Sequence, residues 1–209
     1  MISFRDAIQV IVASPWKLFN EIRRFLSLPW TYIIFRINHI KWGAHWKIYG
    51  SPMIQKHRGS IIMIGDSLEL RSFRSSNPLM PEHPVILSTR SKKAKLIIGH
   101  NFGMTGGGLV AGQTIRIGDR VIIGANSLVT DTDFHPLDPK QRRPSPLQGK
   151  TKPVEIGHDV FIGTRAIILK GTKIGAGSVV GAGAVVSGTF VKNSIIAGNP
   201  AKIIGKTKS

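Results

Sequence analysis

The sequence predicts a mainly β chain, a parallel β-helix preceded by a short α-helical region. Three observations predict it. Stepping by six from Ile156 meets Ile162, Ile168, Ile174, Val180 and Val186, so β-branched residues stay in register through six repeats. The residue four places on is Val160, Ala166, Thr172, Ser178, Ala184 or Phe190, nearly all small. Composition also changes near residue 50: all four tryptophans and both tyrosines precede it, whereas glycine becomes abundant only after it.

A six-residue period is the mark of a parallel β-helix, in which one hexapeptide makes one flat side and three make a coil. The β-branched residue points inward and stacks on its counterparts, and the small residue fills the narrower space near a corner. Glycine follows the large residue at Gly157, Gly163, Gly175 and Gly181, which reads as a turn signal. The register recurs upstream at Ile117, Ile123 and Val129, and more faintly at Ile98-Gly99 and Ile64-Gly65. Between Ile98 and Ile117 one coil carries an extra residue, read as a bulge. Such arrays need several coils and capped ends.

The first region, 1–49, reads as helical. Ser14-Pro15 supplies an N-cap and a first-turn proline. Leu18, Ile22, Phe25 and Leu26 then recur at helical spacing with Phe19 at their edge, and Lys17, Asn20, Glu21 and Arg24 lie opposite. Pro29 predicts a break before a second apolar segment, "WTYIIFRI". The stripe has two compatible uses. It can cover one end of the β domain, or it can enter a membrane interface with Lys and Arg on anionic lipid. The division expected is 1–49 as this aromatic, basic helical region and 50–205 as the β-helix. A loop is inserted at about 133–153, and 206–209 form a basic tail.

The formal net charge of +18 calls for an anionic partner: nucleic acid, a phosphorylated cofactor, an acidic polymer or a membrane surface. The absence of cysteine excludes disulfides and thiolate metal sites. "AIQVIVA" is short, follows Asp6 and precedes "SPWK", so it does not read as a signal peptide. No stretch reaches the roughly 18–20 apolar residues of a spanning helix. The expected location is cytoplasmic, with peripheral contact at the inner face of an anionic membrane through 1–49.

Where the repeat is interrupted stands "DTDFHPLDP", residues 131–139. With "IGHDVFIGTRAIIL" at 156–169, "IGAGSVVGAGAVV" at 174–186 and "IAGNPAKII" at 196–204, it makes the chain resemble the hexapeptide-repeat acyltransferases. It resembles the branch of maltose, galactoside and capsular-polysaccharide O-acetyltransferases, over roughly residues 50–205. The resemblance implies a left-handed helix, a homotrimer and active sites in clefts between subunits. It implies an acetyl group moved from acetyl-CoA to a hydroxyl of a sugar or polysaccharide precursor, without a metal and with no nucleic acid partner.

A sugar hydroxyl needs a base as it attacks, and imidazole, with an ordinary pKa of about 6.5, suits that task. The family's matching histidine is the general base, and the resemblance carries the role to His135. Asp133 is expected to orient that ring or to bind sugar hydroxyls. Asp138 is read either as a further acceptor contact or as a turn cap. Gly163, Thr164, Gly181 and Ala182 match the family's backbone contacts to pantetheine. Lys202, with Lys206, matches the basic tail that meets the phosphates of acetyl-CoA. Phe161 stands where the family often has tryptophan beside the acceptor. Thr105, in "MTGGG", stands where an asparagine serves small sugars, so a larger acceptor is expected.

Three rivals remain at this point. A zinc hydratase would need His100, His135 and His158 to converge. A non-enzymatic basic scaffold or nucleic-acid binder would account for the charge but not for "DTDFHPLDP". N-acylation of an amino sugar would use the same base and donor site. Acyl groups larger than acetyl stay open.

Overall fold

The computed structural model describes residues 12–208. Residues 1–11 and Ser209, which belong to the helical region and the basic tail expected from the sequence, lie outside the described residues. After one long helix the chain winds into coils whose three sides are parallel sheets, two of six strands and one of seven to which an eighth, antiparallel strand is added. This is the left-handed parallel β-helix expected. On the first side Ile48, Leu70, Met104, Ile123, Ile162, Val180 and Ile196 stack inward. On the second, Leu87, Leu109, Val129, Ile168 and Val186 do so, and on the third Ile98, Ile117, Ile156, Ile174 and Phe190. Nearly all of these side chains are fully buried, so the core is one continuous apolar column.

The glycines after the inward residues do not make the turns. The left-handed backbone falls two places later, at Arg120, Asn126, Asp159, Arg165, Gly177 and Gly183. Gly163 is needed for close stacking instead: a Cβ there would lie 2.6 Å from the backbone nitrogen of Ala182 in the next coil. The extra residue between Ile98 and Ile117 is not a strand bulge either. Met104 and Leu109 are five residues apart where Ile123 and Val129 above them are six apart, and the surplus passes into the corner at Ala111–Thr114. There the buried carboxylate of Asp131 accepts the backbone N–H groups of Gly112, Gln113 and Thr114 at 2.5, 2.8 and 2.5 Å. Burial pushes that carboxyl upward and the three N–H groups pull it back.

Helix α1 (Pro15–Ile37) runs through Pro29 without a break. Its second half is held in line by tertiary contacts. Thr31 Oγ1 donates to Ser27 O and lies 2.7 Å from Ser51 Oγ, and Phe35 is fully buried. Phe35, Ile40 and Trp46 close the first coil, with Phe35 and Trp46 packed edge to face at 5.3 Å. The first strand, Lys47–Tyr49, starts inside the region assigned to helix, because the chain must pair with Glu69–Arg71 as soon as this aromatic cap ends.

In its first half the helix does not use the apolar stripe to cover the β domain, which leaves the stripe's other reading, a contact at a membrane surface. Its polar face packs on the β-helix: Asn20 Nδ2 donates to Ser75 O at 2.8 Å, Arg23 to Ser75 Oγ at 3.2 Å, and Tyr49 OH to Glu21 at 2.5 Å. The apolar stripe faces out, with Phe19 65%, Leu26 76%, Trp30 62% and Ile37 67% exposed. Directional hydrogen bonds to the 73–76 turn selected the face that an apolar-inward reading assigns to solvent. At the other end, Ala201–Lys206 folds back antiparallel on Ser194–Gly198 and covers the last coil.

Candidate active site

The second side of one coil ends at Leu128–Thr130, and the chain returns to the third side at Val154–Ile156. Between them a loop stands out from the corner. Its neck is closed by a bridge between Thr132 and Thr151, by Asp133 N–H to Lys150 O at 3.0 Å and by Lys152 N–H to Asp131 O at 2.9 Å. Asp131 therefore fixes both the corner below and the root of the loop.

His135 follows a three-residue turn. Its N–H donates to Asp133 O at 2.7 Å, with Phe134 between them at φ 62, the strained form of such a turn. Gly149 lies against this backbone, where a Cβ would come 2.6 Å from the His135 nitrogen. The His135 ring is exposed, and its Nδ1 lies 2.5 Å from Pro146 O. A carbonyl can only accept, so Nδ1 carries the proton and Nε2 presents a lone pair. A backbone carbonyl makes the ring contact that one of the two readings of Asp133 gave to its carboxylate.

Asp133 is engaged elsewhere. Its Oδ1 is 3.1 Å from Lys170 Nζ, and its Oδ2 is buried with no hydrogen-bond partner. Asp138 caps the short helix α2 (Pro139–Arg142), accepting from Lys140 N–H at 2.9 Å. One oxygen of its carboxylate is thus used by the loop itself, in the cap role that was one of its two readings.

The residues expected from the sequence to meet the acyl donor form one column at the corner between the first and second sides. Gly163 and Thr164 lie directly under Gly181 and Ala182, and Gly183 N–H donates to Thr164 O at 2.9 Å. Above Gly181 stands Ala197, which pairs with Lys202 on the returning strand. Small residues line this corner, open space faces Gly183, and a lysine stands over it.

Thr105 lies two coils below Gly163 in the same column, and its hydroxyl accepts from Asn77 at 3.3 Å. Phe161, 47% exposed, faces out from the first side beside Ile122. Within one chain neither meets His135, which stands at the far end of the second side. Composition could not reveal this, because residues thirty apart in a coil can share a corner or not. Asp131, Lys170, Asn77 and the Pro146 carbonyl were not singled out from the sequence. Only Asp131 carried a signal there, as the first acid of "DTDFHPLDP".

His100 and His158 occupy the third corner, each with Nδ1 accepting a backbone N–H, from Asp66 at 3.1 Å and Asp119 at 2.9 Å. They do not converge with His135.

A family model described as the hexapeptide repeat of succinyl-transferase matches residues 114–130 and 153–187. The galactoside O-acetyltransferase of Escherichia coli is 35% identical over 104 residues, covering 50% of this chain and 48% of its own. The chain spans about half the length of the curated relatives it matches. Among solved structures, the polysialic acid O-acetyltransferase OatWY superposes with a TM-score of 0.61 at 26% identity, over 80% of this chain and 74% of that one. The N-acyltransferase AntD of Bacillus cereus gives 0.62 at 21% identity, over 85% and 89%, a likeness of fold. The chain carries hexapeptide repeats, and in those repeats and in its coil it is similar to acyltransferases built on them.

Proposed function

We propose that the protein is an acetyl-CoA-dependent O-acetyltransferase acting on a hydroxyl of a sugar or glycan, with His135 as general base. The observation that carries this reading is the hydrogen bond from His135 Nδ1 to Pro146 O, which leaves Nε2 as a proton acceptor on an exposed ring. Nε2 takes the hydroxyl proton as the oxygen attacks the thioester carbonyl. The imidazolium returns that proton to the departing thiolate. Its charge is steadied meanwhile by the Pro146 carbonyl, which Nδ1–H continues to face. A backbone N–H at the Gly163–Thr164 or Gly181–Ala182 corner is the candidate donor to the oxyanion. Lys202 meets the donor phosphates. Asp133, whose side chain keeps 20% of its surface exposed, is the candidate contact to an acceptor hydroxyl, and Phe161 offers a face for a sugar ring.

The base and the donor column lie at opposite ends of the second side, so the reading includes a homotrimer in which one chain's loop faces another chain's column. The resemblance to trimeric acyltransferases supports this, as does the exposed apolar row of Ile122 and Phe161. It also includes a peripheral site at an anionic membrane, supported by the outward apolar face of α1 and the charge of +18. No described helix is long and apolar enough to cross a membrane.

The test is release of free thiol from acetyl-CoA in the presence of candidate acceptors. Thiol release with neutral glycans, and an ester in the product, supports the reading. Turnover with amino sugars alone, giving an amide, contradicts O-acetylation, and no turnover with either class of acceptor contradicts the enzyme.

A further inference from the structure

A cleft of about 930 Å³ lies between α1 and the 73–80 segment, away from His135 and from the donor column. Tyr49 and Arg71 line its floor. Arg71 stacks on the Tyr49 ring at 4.4 Å and pairs with Glu69 at 2.7 Å. Glu21, the carboxylate in the lining, is occupied by Tyr49 and Arg24. Lys17 and Arg74 stand on facing walls, both exposed, and neither forms an ion pair with any described residue. Two unmatched cations over a neutralised floor attract an anion small enough to sit between them.

The two ends of the cleft differ in chemistry. Trp16 forms one lip and is 57% exposed, adjoining the outward apolar stripe of α1. At the other end Arg71 and Asn77 belong also to a second groove, which runs along the first side past Thr105 to Ile122. Ile122 pairs with Phe161 in the next coil. The path therefore runs from apolar surface, through cationic cleft, to a polar and aromatic groove.

We propose that this cleft binds the phosphate linkage of a lipid-linked glycan, holding the lipid end toward the α1 face and leading the glycan along the first side. The shared chemistry is a diphosphate ester; an apolar substituent separates a lipid source from a nucleotide or free phosphate. Its identification with the acceptor rests on the acyltransferase reading above. The binding is measured without acyl transfer, so either can fail while the other stands.

The experiment is isothermal titration of the full chain with geranyl diphosphate, geraniol, inorganic pyrophosphate and uridine diphosphate. Geranyl diphosphate is expected to bind more tightly than the other three. The double variant Lys17→Glu/Arg74→Glu should weaken it by about tenfold or more, equivalent to about 1.4 kcal/mol. Its melting temperature and its acetyl-CoA affinity should stay unchanged. Equal or tighter binding of pyrophosphate or uridine diphosphate overturns the lipid linkage. Affinity for geranyl diphosphate that is unchanged in the folded double variant overturns the cleft.

Discussion

Lys170 Nζ lies 3.1 Å from Asp133 Oδ1, while the contact of the His135 ring is with Pro146 O at 2.5 Å. The two possible tasks of Asp133 thereby separate. Asp133→Asn should raise the KM for the acceptor by about 10–100-fold, the value of a hydrogen bond to a charged group, with a much smaller change in kcat. Steady-state kinetics with varied acceptor measures it. A fall in kcat at constant KM would return Asp133 to the orientation of the histidine.

Asp131 holds three backbone N–H groups while fully buried. Asp131→Ala leaves them unsatisfied, and urea unfolding should show a loss of about 2–4 kcal/mol. Asp138→Ala removes only an exposed cap and should cost about 0.5–2 kcal/mol. Equal costs would show that the corner at Ala111–Thr114 does not depend on Asp131.

The docking of α1 should respond to both ends of the pH scale. Burial and the hydrogen bond to Glu21 push the Tyr49 hydroxyl up to about 12. A raised folded value means that its stabilising effect is complete below about pH 10 and is lost as pH rises toward 12. Burial works against Glu21, but hydrogen bonds from Tyr49 and Arg24 outweigh it and hold the carboxyl below its ordinary value. That contribution is complete above about pH 4.3 and is lost as pH falls further. Tyr49→Phe should abolish the alkaline loss seen in thermal melts between about pH 10 and 12. An unchanged alkaline limb would mean that the Tyr49–Glu21 contact does not hold the helix.

The outward stripe of α1 makes a second physical demand. If Phe19, Leu26 and Trp30 enter a lipid surface, full-length protein should sediment with anionic liposomes at low salt. Binding should weaken as salt shortens the screening length to about 10 Å at 0.1 M. Leu26→Glu should release it. Failure of the wild-type protein to sediment with anionic liposomes would mean that the stripe serves another contact.

Sequence and structure agree where one physical rule acts alone. The six-residue register from Ile156 to Val186 is a packing rule, so it located the inward column directly. The corner glycines were found for an incomplete reason, since coil-to-coil distance, not turn geometry, excludes a side chain at Gly163. The helix was read by apolar periodicity, which locates a stripe but not the partner of either face. Four directional polar contacts, with Ser75, Tyr49 and Ser51, outweighed it. The place of His135 on a loop that interrupts the repeat was legible from its motif. The partner of its ring was not, because a backbone carbonyl eleven residues away leaves no trace in residue type.

The account rests on Nε2 of His135 as the base, held in its tautomer by the Pro146 carbonyl. The most direct measurement is kcat of His135→Ala with a saturating acceptor, alongside acetyl-CoA affinity and melting temperature. With His135 as the base, kcat should fall by about 10²–10⁴, with affinity and melting temperature unchanged. A folded variant that keeps about half the wild-type kcat or more would contradict it.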